Sequence, residues 1–153
     1  MFRAMSAIVL SIGLVIGCSD EPFDVHKNNP GNIRDVGVEY DGSYSCPEEF
    51  LCFESDYYGI RAIGSNLVAY QERHGIDTLE DVIARWMPPN ENPTDDLQRT
   101  AARLAGSPTL DVAEVAKIII TIEQGGNPYS PGFVEMAVSE FDAEFEVEKW
   151  DSH

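Results

Sequence analysis

Residues 111–126, "DVAEVAKIIITIEQGG", decide how the rest of the chain is read. Ile118, Ile119, Ile120 and Ile122 leave this helical segment little polar face. A helix that apolar belongs at the centre of a fold, with other helices around it. Its neighbours follow the same logic. Tyr58 to His74 places Ile60, Ile63, Leu67 and Tyr70 on one face, and Gly75 is a natural stop. Asp77 or Thr78 caps a next helix that buries Leu79, Val82, Ile83 and Trp86. "MPPNENP", 87–93, breaks the chain. Thr94 caps a third helix with Leu97, Ala101 and Leu104 inward, ended by Gly106. Ser130 and Pro131 start a last one with Phe133, Met136, Ala137 and Phe141. Residues 28–56 are irregular, with turns at Pro30-Gly31 and Asp41-Gly42 and a strand at Phe50 to Phe53. The expected fold is mainly α, or α+β with one small β hairpin. It occupies 28–141, and an acidic tail follows over 142–153.

The chain has 153 residues, 43% of them hydrophobic, enough for a substantial core. Its 27 acidic and 10 basic side chains give a net charge of −17. Such a surface repels phosphate, so no nucleic-acid partner is expected. The N-terminus has Arg3 and then the apolar run "AMSAIVLSIGLVIG", too short for a comfortable membrane span. It ends in Val15-Ile16-Gly17-Cys18, which resembles the bacterial lipobox. That resemblance implies a signal peptide over 1–17, a lipidated Cys18 and a linker over 18–27. A plain membrane anchor and an ordinary secretory signal are the competing readings. Ser19 after the cysteine points, by the same resemblance, to an outer-membrane lipoprotein in the cell envelope, facing the periplasm.

A lipidated Cys18 leaves Cys46 and Cys52, in "CPEEFLC". These are either two thiols or a disulfide, and an extracytoplasmic location favours the disulfide. A zinc site is poorly supported by two cysteines and the scattered His26, His74 and His153. No metal or organic cofactor is implied.

The chemistry centres on Glu123, the residue before the double glycine. A carboxyl group leaving a buried apolar helix is desolvated, which favours its neutral form. It also opposes the helix macrodipole. A neutral carboxylic acid beside an open turn is what a glycosidase needs to protonate a leaving oxygen. The plain alternative is a glutamate that merely emerges into solvent. "IIITIEQGGNPYS" resembles the catalytic signature of the lysozyme-like superfamily, where an apolar helix delivers a glutamate into a Glu-Ser-Gly-type sequence followed by Asn-Pro. Here Gln124 stands in place of the serine.

A second resemblance covers Asn28 to about Tyr129. "NNPGNIR", "FLCFESDYYGIRAIGSNLVAYQERHG" and "RWMPPNENPT" are similar to a family of phage virion proteins and their prophage relatives. These are known as structural proteins and, in part, as candidate murein-degrading enzymes. The family pattern has Glu-Asn-Gly where this chain has Glu123-Gln124-Gly125, and Trp-Ala-Pro-Pro where it has Trp86-Met87-Pro88-Pro89. The lipobox and the cysteine pair are not part of that pattern.

The two resemblances join. Lysozyme-like glucosaminidases place their Glu helix first, then an Asn-Asn-x-x-Gly-Ile-Lys stretch, a strand and a helix. Here Asn28-Asn29-Pro30-Gly31-Asn32-Ile33-Arg34, the 50–53 strand and the helix from Tyr58 keep that order, with the Glu helix last. A circularly permuted lysozyme-like fold is the expectation, with Glu123 beside the asparagine turn.

In that fold Glu123 is the catalytic acid. Asn29, Asn32, Arg34, Glu91 and Tyr129 line the substrate cleft, the asparagine amides meeting sugar hydroxyls and N-acetyl groups. Asn28 and Asn29 equally fit a role in satisfying turn backbone, and the Asn90–Thr94 loop a role in helix capping. The implied activity is that of a glycosidase or lytic transglycosylase cutting the bond between N-acetylmuramic acid and N-acetylglucosamine in peptidoglycan. The competing class is a non-enzymatic phage-derived lipoprotein, or a virion-type structural protein, that binds the wall or a virion or envelope protein. The expected contacts are thus peptidoglycan, a membrane reached through the lipid anchor, and such a protein partner.

Overall fold

The structure, a computed structural model, describes residues 27–88, 94–104 and 111–140. Cys18, the signal segment, Glu91, Gly106, Phe141 and the acidic tail lie outside the described residues. The architecture is mainly helical with one small hairpin, as the periodicity predicts. In chain order the elements are β1 (Ser43–Ser45), β2 (Leu51–Phe53), α1 (Asp56–His74), α2 (Leu79–Trp86), α3 (Thr94–Leu104), α4 (Val112–Gln124) and α5 (Pro131–Ser139).

The helix ends follow side-chain chemistry. Thr78, Asp111 and Ser130 cap α2, α4 and α5, accepting from the backbone N–H of Asp81, Glu114 and Phe133. Asp111 is thus the cap of α4 rather than its first turn. α1 starts two residues before Tyr58, and Gly75 ends it in the left-handed conformation. α3 begins at Thr94 itself rather than after it.

α4 is central, as its isoleucines demand. Val115, Ala116, Ile118, Ile119 and Ile120 are buried in one cluster with Ile60, Ile63 and Leu67 of α1, Val82 and Ile83 of α2, and Val134 and Ala137 of α5. Each fully buried aliphatic side chain stabilises the fold by about 1.5–3 kcal/mol relative to exposure. The α5 stripe differs from expectation at one position: Met136 is an exposed large hydrophobic, while Val138 is buried in its place.

β1 and β2 are antiparallel, pairing Ser43 with Phe53, Tyr44 with Cys52 and Ser45 with Leu51. A 3-10 turn at Pro47–Glu49 joins them, and the Cys46–Cys52 disulfide closes it. Closing a loop that short contributes about 2 kcal/mol by chain entropy. All three residues of β2 are buried although the sheet has two strands. The 27–34 segment supplies the missing cover. Phe53 N–H donates to the Lys27 carbonyl, Leu51 N–H donates to the Ile33 carbonyl, and Arg34 makes an isolated antiparallel bridge with Phe50.

Candidate functional site

The site begins with the asparagine turn. Asn28 and Asn32 both hold positive φ, 56° and 51°, a conformation asparagine tolerates better than most residues. The intervening Asn29 is 1% exposed. Its Nδ2 donates to the Ile33 and Leu51 carbonyls at 2.9 and 2.8 Å, and its Oδ1 accepts from Ile33 N–H at 2.9 Å. Asn28 donates to the Phe53 carbonyl at 2.8 Å. These two amides therefore build the turn. Asn29 faces inward and offers no side-chain surface to a cleft.

Asn32 has a different task. Its Nδ2 donates to Glu123 Oε2 at 2.6 Å, across 91 residues of sequence. Gln124, at the end of the same helix, donates to the Pro30 carbonyl at 3.2 Å. Trp86 Nε1 of α2 donates to the Gly31 carbonyl at 3.0 Å. Gly125 ends α4 at φ 68°, a left-handed position that turns the chain away just beyond Glu123. The turn is thus held by β2, α2 and α4 together.

Burial pushes the Glu123 carboxyl above its ordinary range, and the hydrogen bond from Asn32 partly opposes that shift. With one oxygen accepting from an amide, the group is arranged as a hydrogen-bonded acid whose charge the surroundings disfavour. The sign of its effect on stability follows. A carboxyl raised on folding costs nothing below its unfolded value, near pH 4, and destabilises progressively as pH rises through its folded value. Glu123→Gln keeps the acceptor and removes the titration. Thermal melts should show the variant more stable than the parent at pH 7, with the difference vanishing below about pH 4. A pH-independent difference would mean that the carboxyl is not held toward neutrality.

Beside the turn lies a groove of about 350 Å³. Asn32 and Arg34 form one wall, Asn66 and Tyr70 of α1 another, and Arg85 and Trp86 of α2 the third. Tyr40 Oη donates to Asn66 Oδ1 at 3.0 Å, and Asn66 Nδ2 donates to the Ala62 carbonyl at 2.9 Å. The Tyr70 and Trp86 rings meet edge to face at 6.1 Å. The aromatic wall is therefore fixed by its own contacts. Glu123 is not on this wall and reaches the groove through Asn32.

The other expected site residues fall out as follows. Arg34 lines the groove, stacked 5.6 Å over the Phe50 ring and 3.7 Å from Glu49. Tyr129 is half-buried away from the groove lining, its ring 5.9 Å from Phe133. Burial first, then a hydrogen bond to Asp56 and the charge of Asp56, hold its phenol well above the usual range. Tyr40, Asn66, Tyr70, Arg85 and Trp86 belong to the groove without having been expected there. Tyr70 and Trp86 read as core from periodicity. Arg85 carried one available signal, as one of only 10 basic side chains. Among the described residues, no group of three or more His, Cys, Asp or Glu is placed to hold a metal ion.

Comparison of the chain with known proteins shows that it belongs to a family of phage proteins. The relative that establishes this is Protein P5 of Pseudoalteromonas phage PM2, 31% identical over 117 residues, covering 69% of this chain and 73% of that protein. No family model matches the chain.

Proposed function

We propose that the chain is a virion-type structural protein of phage or prophage origin whose groove binds the glycan of the cell wall. The observation that carries the first half is the relationship to Protein P5 of a phage. The groove supports the second half. Its volume, about 350 Å³, suits a small ligand, and its rigid aromatic wall beside amide groups is the composition that saccharides favour.

A second reading is favoured by one observation, the desolvated Glu123 carboxyl bonded to Asn32. In it the protein is a glycosidase or lytic transglycosylase with a permuted lysozyme-like arrangement. Glu123 donates its proton to the glycosidic oxygen between N-acetylmuramic acid and N-acetylglucosamine as that bond breaks. A transglycosylase draws its nucleophile from the substrate, so a single protein carboxyl suffices. Glu91 is the other carboxylate this reading considers. Lipidation of Cys18 and an outer-membrane location complete the proposal, and intact-mass analysis of the membrane fraction tests them by the acyl increment on the chain.

The deciding experiment combines co-sedimentation with purified sacculi and a zymogram, using the oxidised full chain in mild detergent and its Glu123→Gln variant. Sedimentation of both proteins without clearing is the result expected of a structural wall-binding protein. Clearing by the parent that the variant loses establishes the enzyme. Clearing that survives the substitution removes Glu123 from the chemistry. Failure of either protein to sediment or clear overturns wall binding and leaves a virion protein partner.

A further inference from the structure

Among the described residues three polar side chains are buried, Asn29, Ser65 and Asn66. Asn29 uses both of its amide hydrogens, on the Ile33 and Leu51 carbonyls. Ser65 gives its one hydroxyl hydrogen to the Arg61 carbonyl at 3.3 Å. Asn66 does not close in this way. Its Nδ2 donates to the Ala62 carbonyl, and its Oδ1 accepts from the Tyr40 hydroxyl. A carbonyl can only accept, so the Ala62 contact fixes which end of the amide is nitrogen. The second hydrogen on that nitrogen meets no acceptor among the described residues, in a side chain 7% exposed.

A buried donor left open is costly, and it calls for an explanation. Packing alone does not ask for an amide here. Asn66 sits in the inward stripe of α1 with Ile63, Leu67 and Tyr70, where an aliphatic side chain would fill the same role. The Tyr40 hydroxyl, by donating into Oδ1, polarises the amide and strengthens its remaining N–H. The space that Asn66 borders is the groove, so the missing acceptor comes from what the groove holds. A net charge of −17 repels anions at long range, which favours a neutral oxygen. Ile33 and Val36 line the same groove, and Val36 is 73% exposed, so an apolar wall accompanies the donor. An acetamido group carries both complements, a carbonyl oxygen and a methyl.

We infer that Asn66 is the specificity-determining residue of the groove, donating its open amide hydrogen to the carbonyl oxygen of an N-acetyl group whose methyl lies against the Ile33–Val36 wall. The inference rests on the wall-glycan reading and names the substituent that the groove selects. The two turn asparagines are committed elsewhere: Asn29 is saturated by backbone, and Asn32 donates to Glu123.

The test is calorimetric titration of the oxidised full chain, in mild detergent, with two trisaccharides of the same linkage that differ only in an acetamido or a hydroxyl group, N-acetylated chitotriose and cellotriose. Chitotriose is expected to bind about tenfold tighter, in line with one added hydrogen bond to a buried donor. Asn66→Leu should bring chitotriose down to the affinity of cellotriose and leave cellotriose unchanged. The parent protein supplies a readout that needs no variant: the Asn66 side-chain amide signal in nuclear magnetic resonance should move with chitotriose and stay in place with cellotriose. A signal unmoved by saturating chitotriose overturns the inference, because solvent alone then meets that hydrogen. Equal affinities overturn it while leaving a saccharide site intact. N-acetyl-alanine methylamide, which has the amide without the sugar, should not compete with chitotriose, and competition at equal concentration overturns the inference in favour of the peptide stem. Binding of neither trisaccharide overturns it as well, and sacculus sedimentation then still decides wall binding on its own.

Discussion

Gly59→Ala is expected to abolish the native fold at room temperature, or to destabilise it by more than about 3 kcal/mol. A Cβ at residue 59 would lie 2.0 Å from the Asn28 carbonyl oxygen and 2.9 Å from Pro30 Cδ. Neither neighbour is the loose end of a side chain. The first is backbone of the residue whose amide holds β2, and the second is a ring inside the turn. α1 cannot retreat either, because Ile60 and Ile63 beside residue 59 are fully buried. Relief would have to come from moving the 28–32 turn, and with it the partners of Asn32, Gln124 and Trp86. Urea denaturation followed by circular dichroism measures the effect. A loss under about 1 kcal/mol would show that helix and turn are not in the close approach described.

Asn29→Ala should cost about 3–5 kcal/mol, from buried hydrogen bonds left open. Its amide makes three, to the Ile33 and Leu51 carbonyls and from Ile33 N–H. The Ile33 carbonyl keeps a partner in Leu51 N–H, so the penalty falls mainly on the Leu51 carbonyl and Ile33 N–H. Asn29→Asp separates shape from donor. It keeps the volume and the acceptor but loses both donated bonds and places a carboxylate at a position 1% exposed. At pH 7 it should be at least as destabilised as the alanine variant, and acid should partly restore it. Denaturation of both variants at pH 4 and pH 7 checks this. Parent-like stability of Asn29→Asp at pH 7 would mean that the amide is not the turn's keystone.

These two positions mark where the sequence stops being readable. α4 was legible because four isoleucines at 118–122 admit few placements. Gly75 and Ser130 were legible because helix ends depend on local chemistry. Turn, strand and helix order around 28–74 followed from proline, glycine and periodicity in the same way. The division of labour among three nearby asparagines was not. Asn29 and Asn32 have the same side chain, and one is saturated by local backbone while the other reaches a glutamate 91 residues away. Nothing local distinguishes them. Trp86 and Tyr70 presented the same difficulty, since an inward-facing aromatic looks alike whether it fills a core or walls a groove. The desolvation of Glu123 was foreseeable from the helix that carries it, whereas which asparagine would reach it was not.

The bonds that hold the asparagine turn to α2 and α4 have a consequence for the order of assembly. They join residues separated by 55, 91 and 94 positions. Contacts so distant along the chain close late, after local helices and the hairpin have formed. During synthesis the turn emerges long before the helix that completes it. A product truncated before Glu123 therefore carries the asparagine turn without the two bonds by which α4 holds it.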